Sequence, residues 1–252
     1  MTDLHSHMLP GMDDGAQSLE DALSLLHMQC LQGVSQAALT PHFRSDKESI
    51  QDFLKRRQSA AERLREAVAE EDLPVTLKLG AEVFYSASLA QMDGVDALCL
   101  EGTNVLLLEF SPGYYPREAP DTLYQLTRQG ILPLIAHVER YAFVHSDPNL
   151  LAEWIDAGAC TQTNATSLVM HTKQRKLLFP MLRHNLVHVL STDTHSASKR
   201  PPMLDRAMDL VNQHCGPETA QALQSRADDL FHGRAPQLPD PVPMKKFLGR
   251  WW

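Results

Sequence analysis

The sequence predicts an α/β protein in which seven parallel strands close into a (β/α) barrel with helices packed outside. Three observations carry this expectation. Short apolar or β-branched runs recur at Thr2–His5, Gln36–Thr40, Thr76–Val83, Asn104–Phe110, Leu132–His137, Ala159–Asn164 and Val187–Thr192, and the last five begin at near-regular intervals. Stretches with helical spacing fill the gaps between them. The runs are almost continuously apolar instead of alternating, as parallel strands buried on both faces are. A closed ring accounts for this better than an open doubly wound sheet, because no glycine-rich dinucleotide turn follows a strand. The open sheet is the alternative. At 252 residues the chain fits one such domain.

After the first strand, Ser18 and Asp21 form a capping box for a helix over Leu19–Gln32, which Gly33 ends. Ser49 and Asp52 open the next helix, which carries the mixed-charge stretch Lys55–Glu71. Gly130 ends the helix before the fifth strand. Asp147-Pro148 reads as an N-cap followed by proline at the first helical position, and Gly158 closes that helix. The pattern gives a barrel domain over 1–232 and a proline-rich tail over 233–252. The tail ends in Met244–Trp252, with basic residues and two tryptophans, and suits either a docking segment or a strap over the barrel.

Composition excludes several classes. Apolar residues make up 43% and charged residues 21% of the chain, which is ordinary for a folded core and excludes bulk disorder. No apolar run approaches the roughly 18 residues of a membrane span, and no charged start leads into an apolar signal segment, so a cytoplasmic protein is expected. The net charge of −8 disfavours binding to a nucleic-acid backbone. Four scattered cysteines (Cys30, Cys99, Cys160, Cys215) form no CxxC pair and read as reduced thiols. The twelve histidines are the unusual number.

Polar residues gather where the strands end. They are Asp3-Leu4-His5-Ser6-His7 with Asp13-Asp14-Gly15 in the following loop, Thr40-Pro41-His42, Gly80-Ala81-Glu82, Leu108-Glu109-Phe110, Ala136-His137-Val138-Glu139-Arg140 and Thr192-Asp193-Thr194-His195. In a parallel barrel these ends share one mouth. A lone histidine there is an ordinary packing residue, but His5-Ser6-His7 turns two imidazoles to one side of a strand. Six of seven strand ends carrying ionisable groups would be costly to bury without cations. His5, His7, Asp14, His42, Glu82, Glu109, His137, Asp193 and His195 are nine candidate ligands, enough for two or three metal ions. Imidazole and carboxylate without thiolate point to manganese, iron or zinc. Asp13 could replace Asp14, and Asp3 could support His5. His27, His145, His171, His184, His188, His214 and His232 read as residues of loops, helices or helix ends.

At these residues the chain resembles the PHP (polymerase and histidinol phosphatase) superfamily. The opening His5–Gly15 is similar to the manganese-dependent bacterial tyrosine-protein phosphatases of capsular and exopolysaccharide synthesis. Thr40-Pro41-His42, Gly80-Ala81-Glu82, Leu108-Glu109-Phe110, Ala136–Arg140, Gln162-Thr163-Asn164, Asp193-Thr194-His195 and Arg200-Pro201-Pro202 match that branch in order. The match covers residues 1 to about 232. It implies a distorted seven-stranded barrel holding two or three ions, Mn²⁺ first, and phosphotyrosine hydrolysis on a cognate bacterial tyrosine kinase. Phe43 departs from the pattern where many members carry a polar residue, which puts the pocket wall there in question.

On this reading the metals would activate water and clamp phosphoryl oxygens, and Arg140 and Arg200 would hold the remaining oxygens. Glu139 beside Arg140 offers a competing ion pair. His42, His137 or His195 could protonate the leaving phenolate only where not fully committed to metal, and Tyr114 and Tyr115 could wall an aromatic pocket. The alternatives are a phosphatase for a small ester such as histidinol phosphate, an amidohydrolase, and a non-catalytic metal-binding regulator. A thiol mechanism is excluded, because the residues six positions after the cysteines are Gln36, Val105, Thr166 and Gln221 and none is arginine.

Overall fold

Each of the seven runs forms strand, but the expected count of seven gives way to nine parallel strands. The computed structural model describes residues 1–247 and 250–252. In chain order the parallel strands are β1 (Thr2–Asp3), β2 (Gln36–Leu39), β3 (His42–Phe43), β4 (Thr76–Leu79), β5 (Glu82–Phe84), β6 (Val105–Glu109), β7 (Leu132–Ile135), β8 (Cys160–Asn164) and β9 (Val189–Ser191). They form a three-stranded sheet, β1-β2-β4, and a six-stranded sheet, β3-β5-β6-β7-β8-β9.

The extra strands have a local cause. Pro41 has no N–H to continue the β2 ladder, so pairing stops at Leu39 and resumes at His42. The neighbouring strand breaks beside it, between Leu79 and Glu82; a Cβ on Gly80 would lie 3.1 Å from Thr40 Cγ2. Leu39 pairs with Leu79 before the breaks and His42 with Glu82 after them. The paired breaks therefore re-aim a histidine and a glutamate together. Backbone bonds from His7 N–H to the Thr194 carbonyl (2.9 Å) and from Asp193 N–H to the His5 carbonyl (2.8 Å) join the first run to the last.

Nine helices connect these strands among the described residues: α1 (Leu19–Leu31), α2 (Ile50–Glu70), α3 (Ala119–Arg128), α4 (Ala142–Ser146), α5 (Leu150–Asp156), α6 (Ala165–Val169), α7 (Thr172–Arg183), α8 (Leu204–Cys215) and α9 (Pro217–Phe231). The capping box of Ser18 and Asp21 is present, and the Ser49 hydroxyl accepts the Asp52 N–H. The start of α5 lies later than expected. Asn149 occupies its N-cap position, and Asp147 Oδ1 accepts the Asn149 N–H in a turn before it.

Strand residues alternate between two apolar clusters, which explains their continuous hydrophobicity. Leu106 and Leu108 join the large cluster under the helices, while Val105 and Leu107 join a smaller one with Leu134, Leu230 and Phe231. Glu109 follows on the parity of Val105 and Leu107. Phe43, next to His42, is fully buried against Phe53 with ring centroids 5.2 Å apart. It belongs to the core and not to a pocket wall.

The tail crosses the helices and ends in a hairpin of β10 (Lys246–Phe247) and β11 (Arg250–Trp251). Asn149 holds it by accepting the Met244 N–H at 2.7 Å and donating to the Met244 carbonyl at 3.1 Å, and Met244 is buried. Val242 N–H donates to the His184 carbonyl at 2.9 Å. These contacts are those of a strap.

His188 is not on a helix or helix end, as its neighbourhood suggested. It is fully buried just before β9, where its Nδ1 accepts the Thr161 N–H at 3.1 Å and its Nε2–H donates to the Asn185 carbonyl. Burial, with Arg226 nearby, pushes its pKa down to about 4. An unfolded histidine titrates near 6.5, so between these values the unfolded chain binds the extra proton and folding weakens as pH falls. The full difference is worth up to about 3 kcal/mol. Urea midpoints measured from pH 7 to pH 4 should therefore decline less steeply for His188→Gln than for the parent. Parallel declines would assign the acid sensitivity elsewhere.

Candidate active site

The first run and its loop build one side of the site. His5 and His7 alternate to the same side, and their Nε2 atoms come within 3.1 Å of each other. Each ring is set by an acceptor behind it. His5 Nδ1–H donates to Gln162 Oε1 at 3.2 Å, and His7 Nδ1–H donates to Asp13 Oδ2 at 2.7 Å. His195 Nδ1–H donates to the Asp193 carbonyl at 3.0 Å. These partners fix the tautomers and turn three Nε2 lone pairs toward a common space. The Asp13-Asp14-Gly15 turn lies so close to His7 that a Cβ at Gly15 would fall on the His7 carbonyl.

Glu82 and Asp193 face those lone pairs. Glu82 Oε2 lies 3.3 Å from His5 Nε2, 3.2 Å from His7 Nε2 and 3.0 Å from His42 Nδ1. Asp193 Oδ1 lies 3.4 Å from His5 Nε2 and 3.5 Å from both His7 and His195. His137 Nε2 meets Glu82 at 2.8 Å and Glu109 at 3.5 Å. Asp14, on the exposed rim, reaches His42 at 3.5 Å and His195 at 3.4 Å. All nine residues singled out in the sequence thus gather in one cluster. Donor atoms within 4.8 Å of one another define three overlapping groups: His7, Asp14, His42 and His195; His5, His7 and Asp193; His42, Glu82 and Glu109.

The cluster lacks cationic charge unless protons or metal ions supply it. Burial alone would hold His7 neutral, yet the Asp13 and Glu82 carboxylates outweigh it and hold the imidazole up at about 10. Burial opposes ionisation of Glu82, but the surrounding histidines keep its carboxyl well below the usual range. Glu109, pressed by burial and by Glu82, is pushed up. Glu82 Oε2, Asp193 Oδ1 and His195 Nε2 are buried without a hydrogen-bond partner of sound geometry. Several orphaned acceptors aimed at one space are costly by themselves and fit bound divalent cations. Donors of this type, without thiolate, suit manganese, iron or zinc.

Other residues take different places from those expected. Asp13 spends both oxygens on His7, the His42 N–H and the Gly15 N–H, so it positions the histidines instead of replacing Asp14. Glu139 does not pair with Arg140; it is buried and accepts from Thr163, Asn164 and Ser167. Arg140 and Arg200 instead converge on Asp193 Oδ2, Arg140 at 3.1 Å. Asn164 Nδ2–H donates to the same oxygen at 2.6 Å. Tyr115 packs on Trp154 and donates to Glu153, while Tyr114 is exposed. Asp3 is buried and accepts from Thr192 N–H and Gln29 Nε2–H, bracing the loop that carries Asp193. Gln162 and Asn164, known from the sequence only as part of the matching Gln162-Thr163-Asn164 motif with no role attached, are site residues at the end of β8. His137 and Asp193 both have left-handed backbones, at φ of +33° and +52°.

An open cleft of about 440 Å³ leads to the cluster, lined by His42, Asp14, Glu109, Arg44, Lys47 and Met12 among others. The family profile for capsular polysaccharide synthesis proteins of the CpsB/CapC type matches residues 1–230. The chain belongs to the CpsB/CapC family. Among its relatives, the tyrosine-protein phosphatase YwqE of Bacillus subtilis is 29% identical, with 99% of each chain covered. The tyrosine-protein phosphatase CpsB of Streptococcus pneumoniae is 30% identical, with 88% of this chain and 94% of that protein covered. A solved structure from work on YwqE of Bacillus subtilis and CpsB of Streptococcus pneumoniae, described as metal-dependent tyrosine phosphatases, superposes with a TM-score of 0.90. It is 27% identical and covers 98% of this chain and all of that one. The CpsB/CapC match ends at residue 230, just before the strap.

Proposed function

We propose that this CpsB/CapC protein is a metal-dependent protein-tyrosine phosphatase acting on a cognate bacterial tyrosine kinase, in the cytoplasm, and so regulating capsular or exopolysaccharide synthesis. The single observation that carries the chemistry is the nine-residue His/Asp/Glu cluster with its orphaned acceptors, open to a cleft and flanked by two arginines. The likeness to YwqE and CpsB supports the substrate class. We read the two sheets as one distorted barrel with seven strand positions, forming the domain 1–232, and 233–252 as a separate tail.

His5, His7, Asp14, His42, Glu82, Glu109, His137, Asp193 and His195 would hold two or three ions, Mn²⁺ before iron or zinc. Metal ions there would supply Lewis acidity toward the phosphoryl oxygens and toward an attacking water. The chain's own residues do the rest. Arg140 and Arg200, partly open to solvent, bind phosphoryl oxygens as they leave Asp193. His42 has 34% of its side chain exposed, against 4% or less for His5, His7, His137 and His195. Being the most open of the five, it is the histidine we assign to protonate the departing phenolate, a role it can fill only while its ring is not fully committed to metal.

The test compares phosphotyrosine peptides with small phosphomonoesters, metal content being measured on the same sample. Chelation should abolish hydrolysis of the peptides and Mn²⁺ should restore it. Alkylation should leave the rate intact: burial pushes the Cys99 and Cys160 thiols up to about 12, and no cysteine lies in the cluster. Activity that survives metal removal but not iodoacetamide would overturn the assignment, and preference for a small ester would move the substrate.

A further inference from the structure

The chain carries a net charge of −8, yet one cavity away from the metal cluster is lined by cations and indoles. It measures about 320 Å³ and lies between α4, the start of α7 and the terminal hairpin, with Lys173, Lys176, His145, Trp251 and Trp252 in its wall and Leu177 beneath them. That volume suits a ligand the size of one aromatic side chain with its substituent.

Lys173 and Lys176 make no ion pair among the described residues, while His145 is engaged with the Glu139 carbonyl. Lys173 and Lys176 are three positions apart on α7, so both ammonium groups stand on one face near a helix N-terminus, the end that favours anions. The Trp251 indole N–H is shielded from solvent and has no hydrogen-bond partner among the described residues. Trp252 is 60% exposed, which leaves its ring available to stack. Two ammoniums ask for an anion, and two indoles ask for a flat ring.

The cavity and the catalytic cleft have separate linings, and one hydrogen bond links their surroundings. His145 Nε2–H donates to the Glu139 carbonyl at 2.8 Å, and the next residue is Arg140, whose guanidinium holds Asp193. An extended peptide advances about 3.3 Å per residue, so the length of spacer that joins the two places measures their separation.

We infer that this cavity binds an aryl phosphate, namely a second phosphotyrosine on the polypeptide whose first phosphotyrosine occupies the catalytic cleft. The ring stacks against the Trp252 indole, and the phosphate, carrying about −1.5 to −2 charges, accepts from Lys173 and Lys176. The inference rests on the phosphotyrosine reading of the main site. It adds that doubly phosphorylated segments are held at both places at once.

The experiment uses the full chain and pairs of labelled peptides. One of each pair carries two phosphotyrosines, the other a single phosphotyrosine with phenylalanine at the second position, with spacers of roughly two to eight residues to cover the extended reach. Fluorescence anisotropy on chelator-treated protein gives affinity without turnover, and steady-state assays on metal-loaded protein give kcat and KM. At the best spacing the doubly phosphorylated peptide should bind about tenfold tighter, as a tethered second contact does, with KM lowered to match and kcat unchanged. The double variant Lys173→Ala/Lys176→Ala, and separately Trp252→Ala, should erase this advantage while leaving the singly phosphorylated peptide unaffected. Lys173→Arg/Lys176→Arg should keep it. Equal binding of both peptides at every spacing, or an advantage that survives the double alanine variant, overturns the pocket. A lysine-dependent advantage without hydrolysis of either peptide would keep the pocket and overturn the activity, and hydrolysis of both without an advantage would do the reverse.

Discussion

Asp193→Ala is expected to remove more function than any other single substitution, by two routes. One oxygen of Asp193 faces His5, His7 and His195, and the other is shared by Arg140, Arg200 and Asn164. Truncation takes an anionic donor from the metal cluster and leaves two guanidiniums without their carboxylate. Loss of a supporting residue behind a metal ligand costs about 10–100-fold, and loss of the ligand itself should exceed this. Breaking the ion pairs should also destabilise the fold, toward the lower end of roughly 3–5 kcal/mol because the arginines reach solvent. Asp193→Asn separates the routes: it tolerates the left-handed backbone and still accepts hydrogen bonds, but lacks the charge. It should melt near the parent while retaining less metal and little turnover. His27→Ala is the control, since that ring only pairs with Glu71 on the surface, at 2.5 Å. Metal per chain, melting temperature and turnover for the three variants decide the matter; an Asp193→Asn protein with parental metal and full activity would remove Asp193 from the centre.

The arginines give the second large effect. If they clamp the phosphoryl group, alanine at Arg140 or Arg200 should cost on the order of 10²-fold in rate, as removing one preorganised donor does. Metal content should fall far less than in Asp193→Ala, because each arginine supports Asp193 through one oxygen and is not itself a donor. Lysine should rescue only in part, keeping charge but losing the two-pronged geometry. The contacts with Asp193 sharpen this test. Were those ion pairs purely structural, Arg200→Ala would lower the melting temperature and spare turnover. Parental turnover in both alanine variants would dispose of the phosphate clamp.

The strand runs and the nine clustered residues were readable because both depend on local pattern. Apolar runs end in His, Asp or Glu, and parallel strands bring such ends together. What escaped the sequence depends on which side chain meets which across long separations. Arg140 has Glu139 beside it in the chain, yet its carboxylate lies 53 positions away on Asp193. Gln162 and Asn164 belong to a matching motif, but their roles show only when β8 sets them behind His5 and beside Asp193. The seven runs divide into nine strands because one proline, Pro41, interrupts pairing in its own strand and a neighbour breaks with it. His188 was misjudged because one buried imidazole with two backbone partners has no local signature.

The left-handed backbones at His137 and Asp193 bear on how this centre can vary. Outside glycine, that conformation is entered most readily by asparagine, aspartate and histidine. The same short list contains the side chains that bind divalent metals through nitrogen or oxygen. Chain geometry and metal chemistry therefore filter the same alphabet at both positions. In a saturation library, most replacements at these two codons would be purged for conformational reasons before ligation is ever interrogated. Asparagine and glycine satisfy the turn without supplying an imidazole or a carboxylate, so their phenotypes would report on chemistry stripped of folding.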